Sequence, residues 1–546
     1  MSYRNPIIPG FAPDPSIVRI NDMFYLVTSS FHLFPGLPIY ASRDLIAWRH
    51  IGNAIHRPTQ LSLAQSGTKL NPLNNGTDEK APATGGLYAP TIRHYNGTTY
   101  IVCTNVVYDA EKDKGDWVSG LTFQNFIVST ADIGLGKWSD PVFFDYYGID
   151  PDLFVDEDGH AYIAGSYWKP SPSCCISCFE VDLNTGRKMS EEKLLWNGYT
   201  KVIPEGPHIY KCNGHYYLLV SEGGTHEGHC LTIARAPSIW GPYEPCDRNP
   251  ILQPTASLDP SAYCHFNGHG DLVQDTQGSW WMVCLAVRRD RAGRMVLGRE
   301  TFLTAVEWPE GQIWPRIQQP IPRTLRRRVV DEEHEEGSPM SLSPPIEAVP
   351  SPFDPKMDIV WIRDPDLGRC SVSSDGKTVS LLPLPTDLAQ CTGESTTFVG
   401  RRQRRLEGSA TADLVLSSLS GYTEDVRAGM AYYKDEHRYA RILYEPVLGT
   451  LVFEVKNSAK SPTIYREKRA EVDLRRASKI QFRVLYTGQF IHFMYRVEQA
   501  GERNGWNSFG LIDTLDMSSN DFTGPAIGVF AIGTGDKWCT FEEVDI

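Results

Sequence analysis

The sequence has no long apolar run and no excess of positive charge. No stretch of about 18 apolar residues occurs in its 546 residues, so a membrane-spanning helix is not expected. Lys and Arg number 53 against 66 Asp and Glu, and the formal charge of −13 repels phosphate backbones and anionic lipid surfaces. We therefore expect neither nucleic acid nor a membrane as a partner.

Cysteine is also sparse. The 12 cysteines are scattered, and several of them, such as Cys103 and Cys284, lie inside apolar runs. This placement is typical of buried free thiols and argues against a disulfide framework. The first six residues, MSYRNP, contain no apolar signal core, so we expect a cytoplasmic protein and leave a secreted form open.

Glycine, proline and aromatic residues are abundant. The chain has 46 Gly and 38 Pro, and 11% of its residues are aromatic, a mixture that suits many short strands joined by tight turns. With 41% hydrophobic residues, the chain is long enough to fill two packed cores. We predict an all-β protein of more than one domain.

Five segments of the N-terminal half share one pattern. Each runs from a polar or aromatic residue through an apolar pair to a turn, and then into a strand that begins with an aromatic residue. Three of the turns contain Asn-Gly or Asp-Gly, and such turns between apolar runs predict antiparallel hairpins. The copies begin at Asp14, Tyr88, Asp150, Glu205 and His269.

The spacing of the copies predicts how the hairpins are arranged. The copies begin 55 to 74 residues apart, which leaves room for a four-stranded sheet in each. Five such sheets arranged radially form a five-bladed β-propeller, whose first strands line a central channel. The five first residues occupy equivalent positions, so we expect them at one end of that channel. An open sandwich of the same hairpins is the alternative, but it does not require equal internal spacing.

The composition changes after Trp314. A basic run at 326–328, an acidic stretch at 331–336 and a Ser/Pro-rich stretch follow, as expected of a linker. The later residues alternate apolar and polar without a repeat, which is typical of a β-sandwich. We predict a propeller domain over 1–325, a linker over 326–352 and a β-sandwich domain over 353–546.

Three carboxylates occupy the equivalent position at the channel end. A propeller fold does not require the like charges of Asp14, Asp150 and Glu205 at this position. Repulsion between them raises the pKa of at least one carboxyl. Such a cluster is typical of a site for acid–base catalysis. Asp14 and Glu205 lie on blades that are not neighbours, which predicts a wide gap of about 6.5–9.5 Å and inverting glycoside hydrolysis. Asp150, on the blade next to Glu205, is expected to raise the pKa of Glu205 and keep it protonated.

His269 begins the fifth copy, and the sequence leaves three roles open for it. It could bind substrate, hold a hydrated calcium ion in the channel, or plug the channel. A calcium ion held by one His would be bound mainly through water, so its role would be structural or electrostatic. The predicted chemistry requires no other cofactor.

Four motifs together are specific. They are Phe11-Ala-Pro-Asp14-Pro-Ser-Ile, Gly148-Ile-Asp150-Pro-Asp-Leu-Phe, Pro204-Glu205-Gly-Pro-His-Ile-Tyr and Leu297-Gly-Arg299-Glu-Thr. As a set they resemble glycoside hydrolase family 43, in its β-xylosidase and α-L-arabinofuranosidase branch. The resemblance extends to the end of the chain, where Asp521-Phe522-Thr-Gly resembles the branch's C-terminal β-sandwich. It implies Asp14 as general base, Glu205 as general acid, and Asp150 as the residue that adjusts the pKa of Glu205.

The resemblance also implies substrate-binding residues. Arg299 is expected to reach sugar hydroxyls with its fixed fork of donors. Phe31 matches the hydrophobic wall of the terminal-sugar site, and Phe522 would close the pocket at one end and enforce exo action. Tyr88 stands where most relatives carry Trp, and a long insertion over 58–86 precedes it, so the leaving-group side is expected to differ from that of the family.

These observations predict an exo-acting, inverting glycoside hydrolase that releases terminal xylose from β-1,4-xylo-oligosaccharides, with α-L-arabinofuranose as a second sugar. One alternative is an α-L-arabinofuranosidase acting on arabinoxylan fragments. Another, of a different class, is a carbohydrate-binding propeller without turnover. The sequence leaves the oligomeric state open, a homo-oligomer included.

Overall fold

The structure, a computed structural model, describes residues 2–73, 76–168, 174–259, 261–326, 357–390, 393, 395–420, 425–499, 502–503 and 505–546. The predicted linker over 326–352 lies outside these residues apart from its first. Within the described part of the chain, no helix has the length and apolar character needed to cross a bilayer.

Each predicted hairpin forms the two inner strands of a four-stranded antiparallel sheet. Five such sheets are present, here called blades 1 to 5 in chain order, so the predicted five-bladed propeller is confirmed. From the channel outwards, the strands are Ser16–Ile20, Met23–Val27, Gly36–Ser42 and Arg49–Ile55 in blade 1; Gly86–Tyr95, Thr98–Tyr108, Leu121–Thr130 and Val142–Phe144 in blade 2; Gly148–Val155, Ala161–Trp168, Cys174–Glu180 and Lys193–Trp196 in blade 3; Glu205–Cys212, His215–Glu222, Cys230–Ala236 and Glu244–Pro245 in blade 4; and Cys264–Gln274, Trp280–Arg288, Arg299–Glu307 and Arg316–Ile317 in blade 5.

The blades close into a ring around the channel. The innermost strand of each blade contacts that of the next, and the innermost strand of blade 5 contacts that of blade 1. The N-terminal strand Ser2–Arg4 pairs with Thr324–Arg326, which lies just beyond blade 5. The side-chain amide of Asn5 donates to the carbonyl oxygens of Leu303 and Pro322, both at 2.8 Å. These bonds hold the two ends of the propeller together and fix the shape of the channel.

The end of the channel where the inner strands begin, here called the mouth, has a repeated backbone feature. The φ angles of Asp14, Ala89, Asp150 and His269 are 50°, 38°, 56° and 45°, and that of Gly206 is 53°. Residues with a side chain adopt this left-handed region rarely. The strand pairing is irregular at the same level in blades 3, 4 and 5, and such irregularities redirect side chains. The shared kink therefore sets the direction of the side chains at the mouth.

The C-terminal domain is a β-sandwich of two sheets, as predicted. In spatial order, the first sheet contains Ile464–Glu471, Thr450–Asn457, Arg438–Glu445, Arg427–Asp435, Ala526–Ile532, Phe398–Arg402, Ile359–Ile362 and Leu33–Phe34. The second contains Cys370–Val372, Val379–Leu381, Cys539–Asp545, Gly408–Val415, Ala477–Tyr486, Phe490–Gln499 and Glu502–Arg503, with Asn507–Asp513 also paired to Phe490–Gln499. Apolar side chains between the sheets form the largest buried cluster.

The two domains share a sheet and a core. The strand Leu33–Phe34 belongs to the propeller segment but pairs with Ile359–Ile362 of the sandwich. A second buried cluster combines Phe31 from the propeller with Phe522 and Phe530 from the sandwich. The sandwich is therefore packed against the propeller beside the mouth.

The described part of the insertion over 58–86 contains two paired strands, Thr68–Pro72 and Lys80–Thr84, here called the insertion hairpin. It packs on the sandwich, where Glu436 accepts a hydrogen bond from the Thr68 N–H at 2.5 Å. Among the described residues, helices are short and comprise the α-helix Thr255–Leu258 and the 3₁₀ helices Ala110–Lys112, Ile133–Leu135, Leu367–Arg369, Leu416–Leu419 and Thr514–Met517.

Candidate active site

The three predicted catalytic carboxyls meet at the mouth, where their charges interact. Asp14 is 5% exposed. Its carboxylate accepts a hydrogen bond from Ser29 Oγ at 2.7 Å and another from Arg299 Nη1 at 3.3 Å. Ser29 Oγ accepts in turn from the Ala89 N–H at 2.7 Å. The two donors fix the orientation of the Asp14 carboxylate.

Glu205 and Asp150 form a coupled pair on neighbouring blades. Burial raises the pKa of Glu205 to about 7, an effect that Arg299 opposes and the charge of Asp14 reinforces. Burial, and then the charge of Glu205, raise the pKa of Asp150 well above its ordinary value. The sequence predicted Asp150 as the cause of the raised pKa of Glu205, whereas in the structure the causes that raise it are burial and then the charge of Asp14. Because the two carboxyls interact, they titrate as a pair.

Two contacts determine which carboxyl of the pair keeps the proton. Asp150 Oδ2 accepts a hydrogen bond from the Gly206 N–H at 3.0 Å, and such a donor stabilises the ionised form. The second contact is His229, whose Nε2 lies 3.7 Å from Glu205 Oε1. Both favour an ionised Asp150 and a protonated Glu205.

The protonation state of His229 explains why it favours a protonated Glu205. Its Nδ1 lies 3.2 Å from the carbonyl oxygen of Phe266, which can only accept, so Nδ1 carries the ring proton. Burial lowers the pKa of His229 to about 3, so the ring is neutral and Nε2 presents a lone pair. A lone pair beside Glu205 disfavours its ionised form.

Arg299 joins Asp14 to blade 4 and to the sandwich. Its Nη2 donates to the carbonyl oxygen of Thr225 at 3.2 Å and also to the Thr225 hydroxyl. The guanidinium lies over the ring of Phe522, 4.4 Å from its centroid. Arg299 is therefore held in a fixed position at the mouth, beside Asp14.

Phe522 reaches the mouth from the sandwich. Its ring stacks on that of His226 at 5.9 Å and on that of Phe31 at 6.4 Å between centroids. The preceding residue, Asp521, is buried and accepts hydrogen bonds from Lys434 and Arg438, which also lie in the sandwich. This ionic cluster fixes the segment that carries Phe522.

Phe31 and Tyr88 form an aromatic wall next to Phe522. Their ring centroids are 4.7 Å apart, and Phe31 is 1% exposed. The Tyr88 hydroxyl donates to the carbonyl oxygen of Thr84 in the insertion hairpin at 2.7 Å. Burial raises the pKa of Tyr88 above its ordinary value, which keeps the hydroxyl protonated. Tyr88 thus connects the aromatic wall to the insertion hairpin.

The insertion hairpin also fixes a neighbouring loop at the mouth. Lys69 is buried, and its Nζ donates to Asp113 Oδ1 and to the Ser119 carbonyl oxygen, both at 2.5 Å. These partners lie in the loop that joins the second and third strands of blade 2. The same loop carries Trp117, which packs against the cluster that contains Phe31 and Phe522.

His269 lies at the mouth, against the residue that follows Glu205. Its Nδ1 would be 2.8 Å from a Cβ placed on Gly206, so the residue after Glu205 has no room for a side chain. Burial lowers the pKa of His269 to about 4, so the ring is neutral near pH 7. Its ring meets that of His208 edge-on at 6.2 Å, in the next layer of the channel.

The next layer of the channel is centred on the guanidinium of Arg93 from blade 2. Nη1 donates to Asp271 Oδ2 at 2.8 Å and to Ser16 Oγ at 3.3 Å. Nη2 donates to Asp152 Oδ1 at 2.9 Å and lies 3.0 Å from His208 Nδ1. These four partners come from blades 5, 1, 3 and 4, so a single side chain links all five blades.

This layer does not fit a calcium ion, which prefers oxygen ligands. The carboxylate of Asp271 already accepts from Ser16 Oγ at 2.6 Å, Tyr210 Oη at 2.6 Å and the Ile17 N–H at 3.0 Å besides Arg93. Over the described ranges, no group of three or more His, Cys, Asp or Glu is arranged to hold a metal ion. The guanidinium already supplies the positive charge of this layer.

Replacing Arg93 by Met is expected to destabilise the propeller. Asp152 and Asp271 would remain as buried charges without their cation, and breaking a buried ion pair costs about 3–5 kcal/mol. Urea denaturation followed by circular dichroism measures the shift in midpoint. The matched control is Arg43→Met, which removes an exposed ion pair to Asp22 and is expected to cost less than about 1 kcal/mol. Equal midpoints for the two variants would contradict the role of Arg93.

Comparison with known proteins shows which protein family has this fold and this site. The model of "Glycosyl hydrolases family 43" matches residues 3–313, which is more than half of the chain. The chain belongs to glycosyl hydrolases family 43. It is therefore a glycoside hydrolase, and the resemblance noted from the motifs is confirmed. A second model, "Beta xylosidase C-terminal Concanavalin A-like domain", matches residues 353–546, the sandwich of this family 43 chain.

Named relatives agree with the family. A non-reducing end α-L-arabinofuranosidase of Bacteroides ovatus is 32% identical over 98% of this chain and 92% of the relative. A xylosidase/arabinosidase of Butyrivibrio fibrisolvens is 38% identical over 59% of this chain and 57% of the relative. A xylan β-1,4-xylosidase from Bacillus halodurans has a solved structure that matches with a TM-score of 0.78 at 26% identity, covering 100% of both chains.

Proposed function

We propose that this family 43 enzyme is an exo-acting, inverting glycosidase that releases terminal xylose from β-1,4-xylo-oligosaccharides. The observation that carries the proposal is the contrast between two carboxyls. Asp14 is oriented by a hydroxyl and a guanidinium, whereas burial raises the pKa of Glu205 to about 7. A base on blade 1 and an acid on blade 4, two blades that are not neighbours, suit the wide carboxyl separation of an inverting enzyme.

The proposed reaction is a single displacement. Glu205 gives its proton to the glycosidic oxygen, which leaves with the electron pair of the bond to the anomeric carbon. Water attacks that carbon from the opposite face, and Asp14 takes a proton from the water. The sugar therefore leaves with inverted configuration. Exchange of protons with solvent restores Glu205 and Asp14.

Arg299, Phe31, Phe522 and His269 are proposed to bind the terminal sugar, and Tyr88 is proposed to contact the next sugar, on the leaving-group side. The stacked rings of Phe31 and Phe522 supply an apolar wall, and the contact of Arg299 with Asp14 places guanidinium donors beside the base. Phe522 comes from the sandwich and narrows one end of the site, which supports exo action. His269 is proposed to contact the sugar as a neutral ring.

The choice of sugar rests on the relatives. One is named for arabinofuranose and others for xylose or both. The test is hydrolysis of an aryl β-D-xyloside and an aryl α-L-arabinofuranoside by the wild type and by Glu205→Gln. Faster turnover of the xyloside supports the proposal, and faster turnover of the arabinofuranoside supports the alternative of an α-L-arabinofuranosidase. No turnover of either would contradict the proposed substrate class.

We propose that the enzyme works without a cofactor. The support is the Arg93 layer, where a guanidinium supplies a positive charge next to His208, whose ring meets that of His269. Dialysis against EDTA is expected to leave kcat/KM unchanged. A loss of activity that calcium restores would contradict this part of the proposal.

The pH dependence of kcat/KM follows from Glu205. The acid must be protonated to act, and its pKa is raised to about 7, so kcat/KM is expected to fall as the pH rises through about 7. Replacing Asp150 by Asn removes a negative neighbour, which lowers the pKa of Glu205 and moves this limb to lower pH. An alkaline limb at the same pH in Asp150→Asn would contradict the coupling between the two carboxyls.

A further inference from the structure

Three aromatic side chains lie together at the mouth end of blades 2 and 3. The Tyr147 ring meets that of Phe123 edge-on at 5.6 Å and that of Tyr167 edge-on at 6.4 Å. Tyr147 is 47% exposed, which is high for a large aromatic side chain with two ring neighbours. Exposed apolar clusters of this kind often mark binding surfaces.

Two consecutive tyrosine side chains at this point lie in different surroundings, one in the protein interior and one at the surface. Tyr146 is buried, and its hydroxyl lies 3.1 Å from Ser177 Oγ, while the next residue, Tyr147, faces solvent. The backbone of Tyr147 is held in place, because its carbonyl oxygen accepts from the Trp168 N–H at 3.0 Å. Tyr147 is therefore an exposed ring on a fixed backbone.

The cluster lies close to the reaction centre. Tyr147 is three residues before Asp150, so their Cα atoms are at most about 11 Å apart. Tyr167 belongs to the strand beside it, where it pairs with Gly148. An oligosaccharide that left the terminal-sugar site toward blade 3 would pass over the cluster.

We propose that Phe123, Tyr147 and Tyr167 form an outer sugar subsite that binds the leaving-group part of the oligosaccharide. The proposal rests on the proposed function and deepens it. An aromatic ring binds the apolar face of a neutral sugar, as aromatic side chains do in ligand sites. The net charge of −13 favours a neutral ligand over an anionic one. The enzyme should therefore prefer chains of three or more sugars.

The test compares substrate lengths rather than a single rate. For wild type, Tyr147→Ala and Tyr147→Phe, kcat/KM is measured on aryl β-D-xyloside, xylobiose, xylotriose and xylotetraose. We expect Tyr147→Ala to lower the ratio of kcat/KM for xylotetraose to that for the aryl xyloside by about fivefold. The loss is expected in KM, since the subsite binds substrate and transition state alike. Tyr147→Phe is expected to keep the wild-type ratio.

The matched control is Tyr465→Ala, which removes a tyrosine of similar exposure, 55%, from the sandwich. It is expected to leave the ratio unchanged. A wild-type ratio in Tyr147→Ala, or an equal loss on every substrate, would overturn the outer subsite. If the wild type hydrolyses none of the four substrates, the proposed function itself fails, which is a distinct outcome.

Discussion

Replacing Glu205 by Gln is expected to lower kcat/KM on xylobiose by about 10³-fold, the usual contribution of a general acid. Gln has the shape of Glu but no acidic proton, so the glycosidic oxygen must leave as an anion. The structure provides the reason why Glu205 holds a proton, since burial raises its pKa to about 7 and a neutral His229 faces it. The measurement is steady-state kinetics at pH 6.

The leaving group supplies the control for this prediction. A dinitrophenyl xyloside has a leaving group that departs without a proton, so Glu205→Gln should lose far less activity on it than on xylobiose. This difference separates a lost proton from a damaged fold. Equal losses on the two substrates would show that Glu205 is not the general acid.

Replacing Asp14 by Asn is expected to lower kcat by about 10³-fold on both substrates. The base acts on water, so the loss does not depend on the leaving group. The hydrogen bonds from Ser29 and Arg299 hold the carboxylate in place, and Asn has the same shape. Kinetics on the dinitrophenyl xyloside and on xylobiose provide the comparison.

Azide distinguishes a lost base from a lost binding site. Azide is already an anion and needs no base, so it is expected to restore part of the rate of Asp14→Asn and to yield the inverted glycosyl azide. The same addition should not accelerate the wild type. If Asp14→Asn kept most of its activity on both substrates without azide, Asp14 would not be the base.

Most of the propeller fold could be predicted from the repeat in the sequence. The turns after Asn96, Asp158 and Asn213 are local signals, because a glycine after Asn or Asp favours a hairpin whatever surrounds it. The spacing from the first residue to the turn is equal in the last four copies and one residue shorter in the first, which placed Asp14, Asp150 and Glu205 at one level. That is why the sequence could predict that these carboxyls meet.

Contacts between blades and between domains were not predictable in this way. His229 and Thr225 lie in the run GGTHEGH, which has no counterpart in the other copies, although two His after the second strand of blade 4 were a visible signal. The place of Arg93 depends on acidic partners that are far apart in sequence. Asp152 and Asp271 each follow the first residue of their copy by two positions. These two carboxylates, on strands predicted to line the channel, indicated that a buried cation was needed.

The β-sandwich fold was predicted from the sequence, but the packing of the sandwich beside the mouth was not. The pairing of Leu33–Phe34 with Ile359–Ile362 joins residues more than 300 positions apart, and no local pattern specifies such a pair. The bond from Tyr88 to Thr84 spans only four residues, but no turn or repeat signal in the sequence indicates it, and it shows that the insertion hairpin supports the aromatic wall.

The most direct test of the account is the configuration of the sugar at the moment of release. Proton NMR of the hydrolysis of an aryl β-D-xyloside, recorded before mutarotation, shows which anomer appears first. We expect α-xylose, because Asp14 and Glu205 act from opposite faces of the sugar in one displacement. First release of β-xylose would contradict it, since retention requires a covalent intermediate on one of these carboxylates.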